Sequence, residues 1–270
     1  MSTPLAKVKS VDGPEMNEPN NMPTLHWQPS REVIPLTPYA LHIWRLSLHP
    51  QADIDHRLWQ LLSKDEQQRA LRFVRSQDQT QFVQVRGTLR LLLGQYLNVP
   101  GVSLEFDYGE YGKPQLVSSC NPLEVQFNVS HSHEFALMAI AMTTEVGVDI
   151  EQVNQRSEFL KISQRFFTTA EHQVLLQQPP HQQRQTFFQL WTRKEACIKA
   201  MGGSIAHGLE HINVAVDLHQ STRVIEVTER SHRQLFLYNL SLGNDYAGAV
   251  ATTQPFQQLH TWDWHHPEQA

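Results

Sequence analysis

The chain has 270 residues, enough for one or two domains that bury roughly 70–75% of the unfolded surface. Its 40% hydrophobic and 18% charged residues are those of a globular protein, and a net charge of −5 argues against a general nucleic-acid binder. Cys120 and Cys197 cannot make a disulfide framework, and no apolar run reaches the length of a signal core or a membrane span, so a cytoplasmic location without a membrane partner is expected.

Residues 1–23, rich in Pro, Asn and Ser, read as a mobile N-terminal tail. "YALHIWRLSL" (39–48) alternates as a strand does, and 55–75 and 81–97 read as helices. On the second of these Phe82, Val85, Leu89, Leu92, Leu93 and Tyr96 share one face, with Arg86 and Arg90 together beside it. "VSLEFDY" is a short strand ended by the turn-forming "GEYGKP", and "LEVQFNV" is a strand expected to break at "SHSH". "EFALMAIAM" (134–142) is apolar on both faces, as a central strand is, with "EVGVDIE" (145–151) expected as its hairpin partner.

A helix is expected over 158–167, and Thr168-x-x-Glu171 is a capping box opening another that stops before Pro179-Pro180. The next helix, about 183–201, ends at Gly202-Gly203. "HINVAVD", "TRVIEVTE", "RQLFLYNLSL" and "YAGAVATT" complete the strands. Strands and helices come in blocks, which makes the class α+β.

Within the 183–201 helix, Lys194 falls in the centre of the stripe formed by Phe187, Leu190, Trp191, Ile198 and Met201, with Glu195 and Lys199 on its flank. The ordinary explanations are an i,i+4 Glu–Lys pair worth about 0.2–0.5 kcal/mol, or a lysine lifting its head to water. Asp149 and Glu151, two apart at a strand end, point to one face. With Glu195 they would make three hard oxygen donors suited to Mg²⁺ rather than zinc. His131 and His133 could be zinc ligands or solvent-facing, and Ser130 with His131 at a strand break suits a phosphate, as does Lys113 beside a tight turn.

"GEYGKP" (109–114), "FNVSHS" (127–132), "GVDIE" (147–151), "RFFTTAE" (165–171) and "WTRKEACIKA" (191–200) occur in that order. Together they resemble the Sfp-type 4′-phosphopantetheinyl transferases over about residues 60–203. The resemblance implies a pseudo-dimer of two similar α+β halves, here about 24–129 and 130–255, with the active site in the cleft between them and 256–270 as a C-terminal tail. It implies Mg²⁺-dependent transfer of phosphopantetheine from coenzyme A to a serine of an apo acyl- or peptidyl-carrier protein, by a monomer.

By position, Asp149, Glu151 and Glu195 match the metal-binding carboxylates, and Lys194 and Lys199 match lysines that meet the coenzyme A phosphates. Lys113, Ser130, His131 and Arg86 match positions at the nucleotide end, and Arg69 a further basic contact. Glu195 is the candidate proton acceptor, with Lys199 beside it in the chemistry. The chain departs from the pattern at Glu66, where a basic residue is expected, and carries extra residues before Arg86. On this reading Lys194 faces inward because it borders a cleft filled by pyrophosphate. A carrier would dock on Arg156, Lys161 and Arg165 beside Phe166. The competing readings are a metal-dependent phosphodiesterase or hydrolase using the same acids with His131 and His133, and a catalytically silent module binding coenzyme A or a carrier.

Overall fold

The structure, a computed structural model, describes residues 25–30, 33–154, 158–203, 212–214, 222–227 and 233–265. In chain order these hold β1 (Gln28–Ser30), β2 (Ala40–Ser47), α1 (His56–Leu61), α2 (Lys64–Ala70) and α3 (Ser76–Leu97). Next come β3 (Phe106–Tyr108), β4 (Pro114–Leu116), β5 (Val125–Ser132), β6 (Phe135–Met142) and β7 (Val146–Gln152). Then follow α4 (Phe159–Phe166), α5 (Thr169–Gln177), α6 (Pro180–Ala200), β8 (Thr222–Val227), β9 (Arg233–Asn239), β10 (Tyr246–Thr252) and β11 (Gln258–Trp264). The fold is mixed α+β. Residues 1–24, Arg156 and most of "HINVAVD" lie outside the described residues.

β2 and β6 are buried on both faces because each separates two cores. Trp44, Leu46, Ala136, Met138 and Ile140 pack with Leu89, Leu92 and Leu93 of α3. Leu41, Ile43, Leu137, Ala139 and Ala141 turn the other way, against Val146, Val148 and Ile150 of β7 and Val250 of β10. Alternate residues of β10, Ala247, Ala249 and Ala251, then pack under α6. The layers therefore run α3, a sheet of order β1-β11-β2-β6-β5, a second sheet of order β7-β10-β9-β8, and α6.

Three expectations change. β7 is not the hairpin partner of β6: its backbone pairs antiparallel with β10, as Asp149 with Ala249, and it stacks on β6 instead. The boundary at 129/130 cuts through β5, and β6 belongs to the first sheet because both β5 and β2 hydrogen-bond to it. The segment from 256 is no tail over Gln258–Trp264, where β11 runs parallel between β1 and β2 and stacks Trp262 on Trp44.

β5 also continues through "SHS" before turning at His133, which takes φ 54°. The expected capping box opens α5: the Thr168 hydroxyl accepts from Glu171 N–H, and the Glu171 carboxylate accepts from Thr168 N–H. Pro180 sits at the first turn of α6, where its missing N–H costs nothing.

Gly147 sets the seat of α6. A Cβ there would collide with Ala196 O, Ala200 N and Lys199 C, so strand and helix backbones touch at this point. Gly147→Ala is expected to push α6 outward, lowering the unfolding midpoint and removing the activity expected from the sequence together. Calorimetry with an activity assay checks this, and an unchanged midpoint would mean that the contact is not tight.

Candidate active site

Because Val146, Val148 and Ile150 face the inter-sheet core, Asp149 and Glu151 are turned to the other side of β7, toward α6. From α6, Glu195 and Lys199 come down beside them, one turn apart. The Lys199 ammonium donates to Asp149 Oδ1 at 2.6 Å and to Ser130 Oγ at 3.1 Å, and Ser130 Oγ donates to Asp149 Oδ1 at 2.8 Å. Glu151 Oε2 accepts from Ser132 Oγ at 3.0 Å.

Burial and the neighbouring Asp149 charge push Glu195 up to about 7, with Lys199 opposing and Glu151 adding to the shift. Glu151 is raised for the same two leading reasons. The carboxylates thus repel one another, and Lys199 alone does not relieve them. Two of their oxygens, Asp149 Oδ2 and Glu195 Oε1, are buried without a hydrogen-bond partner among the described residues. Hard oxygen donors with unspent lone pairs and surplus negative charge fit magnesium. The donors are not yet closed on one point: among the described residues no three His, Cys, Asp or Glu side chains form a ready coordination set. The Lys199 ammonium stands at Asp149 Oδ1 instead.

One residue along β5 from Ser130, His131 lines a cavity of about 440 Å³ together with Arg69, Asp78, Phe82, Arg86 and Pro114. Three of the expected binding residues, Arg69, Arg86 and His131, therefore line one cavity. Desolvation and the Lys199 charge hold the His131 imidazole below its ordinary value, with Asp78 opposing them. Arg69 lies over the Phe82 ring, and Arg86 over Phe106. Arg86 Nη1 is buried without a hydrogen-bond partner among the described residues. Lys113, next to Pro114 of the cavity wall, donates to Glu145 at 2.8 Å and to the Val146 carbonyl at 3.1 Å.

Glu66, the departure from the expected pattern, has a structural task. It caps α2 by accepting from Ser63 N–H, pairs with Arg90 at 2.7 Å, and reaches Arg86 at 3.4 Å. Arg90 also donates to the Gly101 and Leu104 carbonyls, so the Glu66 carboxylate neutralises a buried guanidinium.

Lys194 is where the expectation fails. It is fully buried, and its ammonium donates to Glu171 Oε2 at 2.7 Å and to the Ile212 carbonyl, over the Phe167 ring. α6 is enclosed by the second sheet on one side and by α4, α5 and residues 212–214 on the other. The charge that permits burial is therefore the Glu171 carboxylate and not a phosphate. Glu171 also accepts from Val214 N–H at 2.8 Å. Its capping-box position was visible in the sequence, but its second role as a counterion was not.

Of the readings open for His131 and His133, a shared zinc site finds no support among the described residues. His133 sits in the left-handed region at the hairpin turn, out of the strand that carries His131.

Known proteins similar to this chain show its family. The family model of the 4′-phosphopantetheinyl transferase superfamily matches residues 145–251, and that of the 4′-phosphopantetheinyl transferase N-terminal region matches 48–143. The 4′-phosphopantetheinyl transferase HetI of Nostoc is 37% identical over 191 residues, covering 70% of this chain and 80% of that protein. The chain belongs to the 4′-phosphopantetheinyl transferase superfamily. The transferase Sfp of Bacillus subtilis is 27% identical over 74% of this chain and 86% of its own length. The transferase gsp of Aneurinibacillus migulanus is 34% identical over 56% of this chain and 62% of its own length. The protein is a 4′-phosphopantetheinyl transferase, and the two family models meet between β6 and β7, where the sheets divide.

Proposed function

We propose that the protein moves the phosphopantetheine arm of coenzyme A onto a serine hydroxyl of an apo acyl- or peptidyl-carrier protein, with Mg²⁺, releasing adenosine 3′,5′-bisphosphate. What supports this reading above all is the meeting of Asp149, Glu151, Glu195 and Lys199 on facing sides of β7 and α6, with unpartnered carboxylate oxygens among them. The two sheet-and-helix units, divided near residues 143–145, correspond to the pseudo-dimer, and the site belongs to the cleft between them. The same reading makes the protein a cytoplasmic monomer.

Arg69, Arg86 and His131 grip the nucleotide end of coenzyme A, where the unpartnered Arg86 Nη1 is an available donor. Lys113 reaches a phosphate by exchanging its contact with the half-exposed Glu145. Asp149, Glu151 and Glu195 hold the magnesium, which when bound neutralises charge on the pyrophosphate. Lys199, already at Ser130 and Asp149, offsets negative charge on the departing bridging oxygen. Glu195, in the same acid cluster, is the acceptor for the proton leaving the serine hydroxyl. The carrier approaches over α4, where Leu160 is exposed and Arg165 covers Phe166.

Incubation with coenzyme A, Mg²⁺ and an apo carrier should add the phosphopantetheine mass to the carrier. Breakdown of coenzyme A with an unmodified carrier would instead favour hydrolysis. Asp149→Ala should lower transfer by roughly 100-fold or more while leaving circular dichroism unchanged. Normal turnover in that variant would remove Asp149 from the site.

A further inference from the structure

β5 and β7 are edge strands of different sheets, yet they run side by side through the site. No backbone ladder joins them among the described residues. Side chains at alternate positions of β5 do so instead. Asn128 Oδ1 accepts from Val148 N–H at 2.9 Å, Ser130 Oγ donates to Asp149, and Ser132 Oγ accepts from Gln152 N–H at 3.0 Å. With that lone pair taken, the Ser132 hydroxyl proton goes to Glu151 Oε2, also at 3.0 Å.

A period of two places these three side chains on one face of the strand. They form polar rungs across the seam between the two sheets. The third rung differs from the first, because it fixes a carboxylate as well as a backbone N–H.

From this geometry we infer that Ser132 is a positioning residue, which orients the Glu151 carboxylate toward the divalent cation by tying it to the backbone of its own strand. The inference rests on the magnesium reading above. The Glu151 carboxylate has no other hydrogen-bond partner among the described residues, so the hydroxyl is the group that fixes its orientation. The order of its carboxylate is thus borrowed from the opposite sheet. Partners of this kind typically contribute 10- to 100-fold to metal affinity although they never touch the metal.

The test is direct Mn²⁺ binding to the full chain by electron paramagnetic resonance, without coenzyme A, in wild type, Ser132→Ala, Ser132→Thr and Asp149→Ala. Ser132→Ala should weaken binding about 10- to 100-fold. Ser132→Thr, which keeps the hydroxyl, should stay within about threefold of wild type. In turnover the Mg²⁺ concentration for half-maximal rate should rise in Ser132→Ala, with KM for coenzyme A unchanged at saturating Mg²⁺. A Ser132→Ala protein that binds Mn²⁺ like wild type, with only a lower unfolding midpoint, would reduce Ser132 to a structural rung and overturn the inference. If wild type and Asp149→Ala bind equally poorly, the magnesium reading falls, and the role of Ser132 falls with it.

Discussion

Lys194→Met is expected to destabilise the protein by about 3–5 kcal/mol, because it strands the Glu171 carboxylate without its cation where no water reaches it. Thr168 N–H and Val214 N–H still donate to that carboxylate, but neutral donors do not replace an ammonium. The double variant Lys194→Met with Glu171→Gln should recover part of the loss. Both charges are then gone, while the amide oxygen can still accept from one of the two backbone N–H groups, its NH₂ facing the other. Buried ion pairs commonly behave this way, costly to break and nearly neutral to replace as a pair. Urea unfolding of wild type, both single variants and the double variant measures the coupling. A Lys194→Met protein of normal stability with a selective loss of coenzyme A affinity would return Lys194 to the phosphate and contradict the structure.

This result also marks what local sequence could and could not reveal. The period of α6 places Lys194 on its inward face, and that is where it lies. The period does not say what waits there, since α5 and residues 212–214 are brought in by the tertiary fold. The anionic partner was in view only as a helix cap. Asp149 and Glu151 were legible as neighbours on one strand face, and the Glu195–Lys199 turn as one helix face, because both follow from backbone geometry alone. That the two faces meet depends on Gly147, whose missing side chain lets strand and helix touch. Strand partners were the least legible. β6 and β7 are adjacent in sequence and apolar enough to be a hairpin, yet β7 takes β10, about a hundred residues later, and β11 lies between β1 and β2. Alternation fixes which face of a strand is buried and leaves its neighbour open.

Glu195→Gln should give an inactive protein that is more stable than wild type at pH 8 and equally stable near pH 4.5, when both are free of metal. The folded protein holds the Glu195 proton up to about pH 7, against an ordinary value of 4.5, because burial and the Asp149 charge disfavour the anion. A carboxylate raised in this way binds more protons folded than unfolded between those two values. Stability therefore falls as pH rises from about 4.5 to about 7, and the loss stays complete above that. The size is on the order of 3 kcal/mol from a displacement of this magnitude. Gln carries the neutral form permanently and escapes the penalty. Thermal unfolding in a chelator at pH 4.5, 6 and 8 should show the two curves separating as pH rises. Mg²⁺ at pH 8 should then close the gap by stabilising wild type alone, since the cation binds the ionised carboxylates and only the folded state presents them together. Curves that stay parallel across this range would mean that Glu195 is not strained by its neighbours. The acid cluster would then need no cation to relieve it.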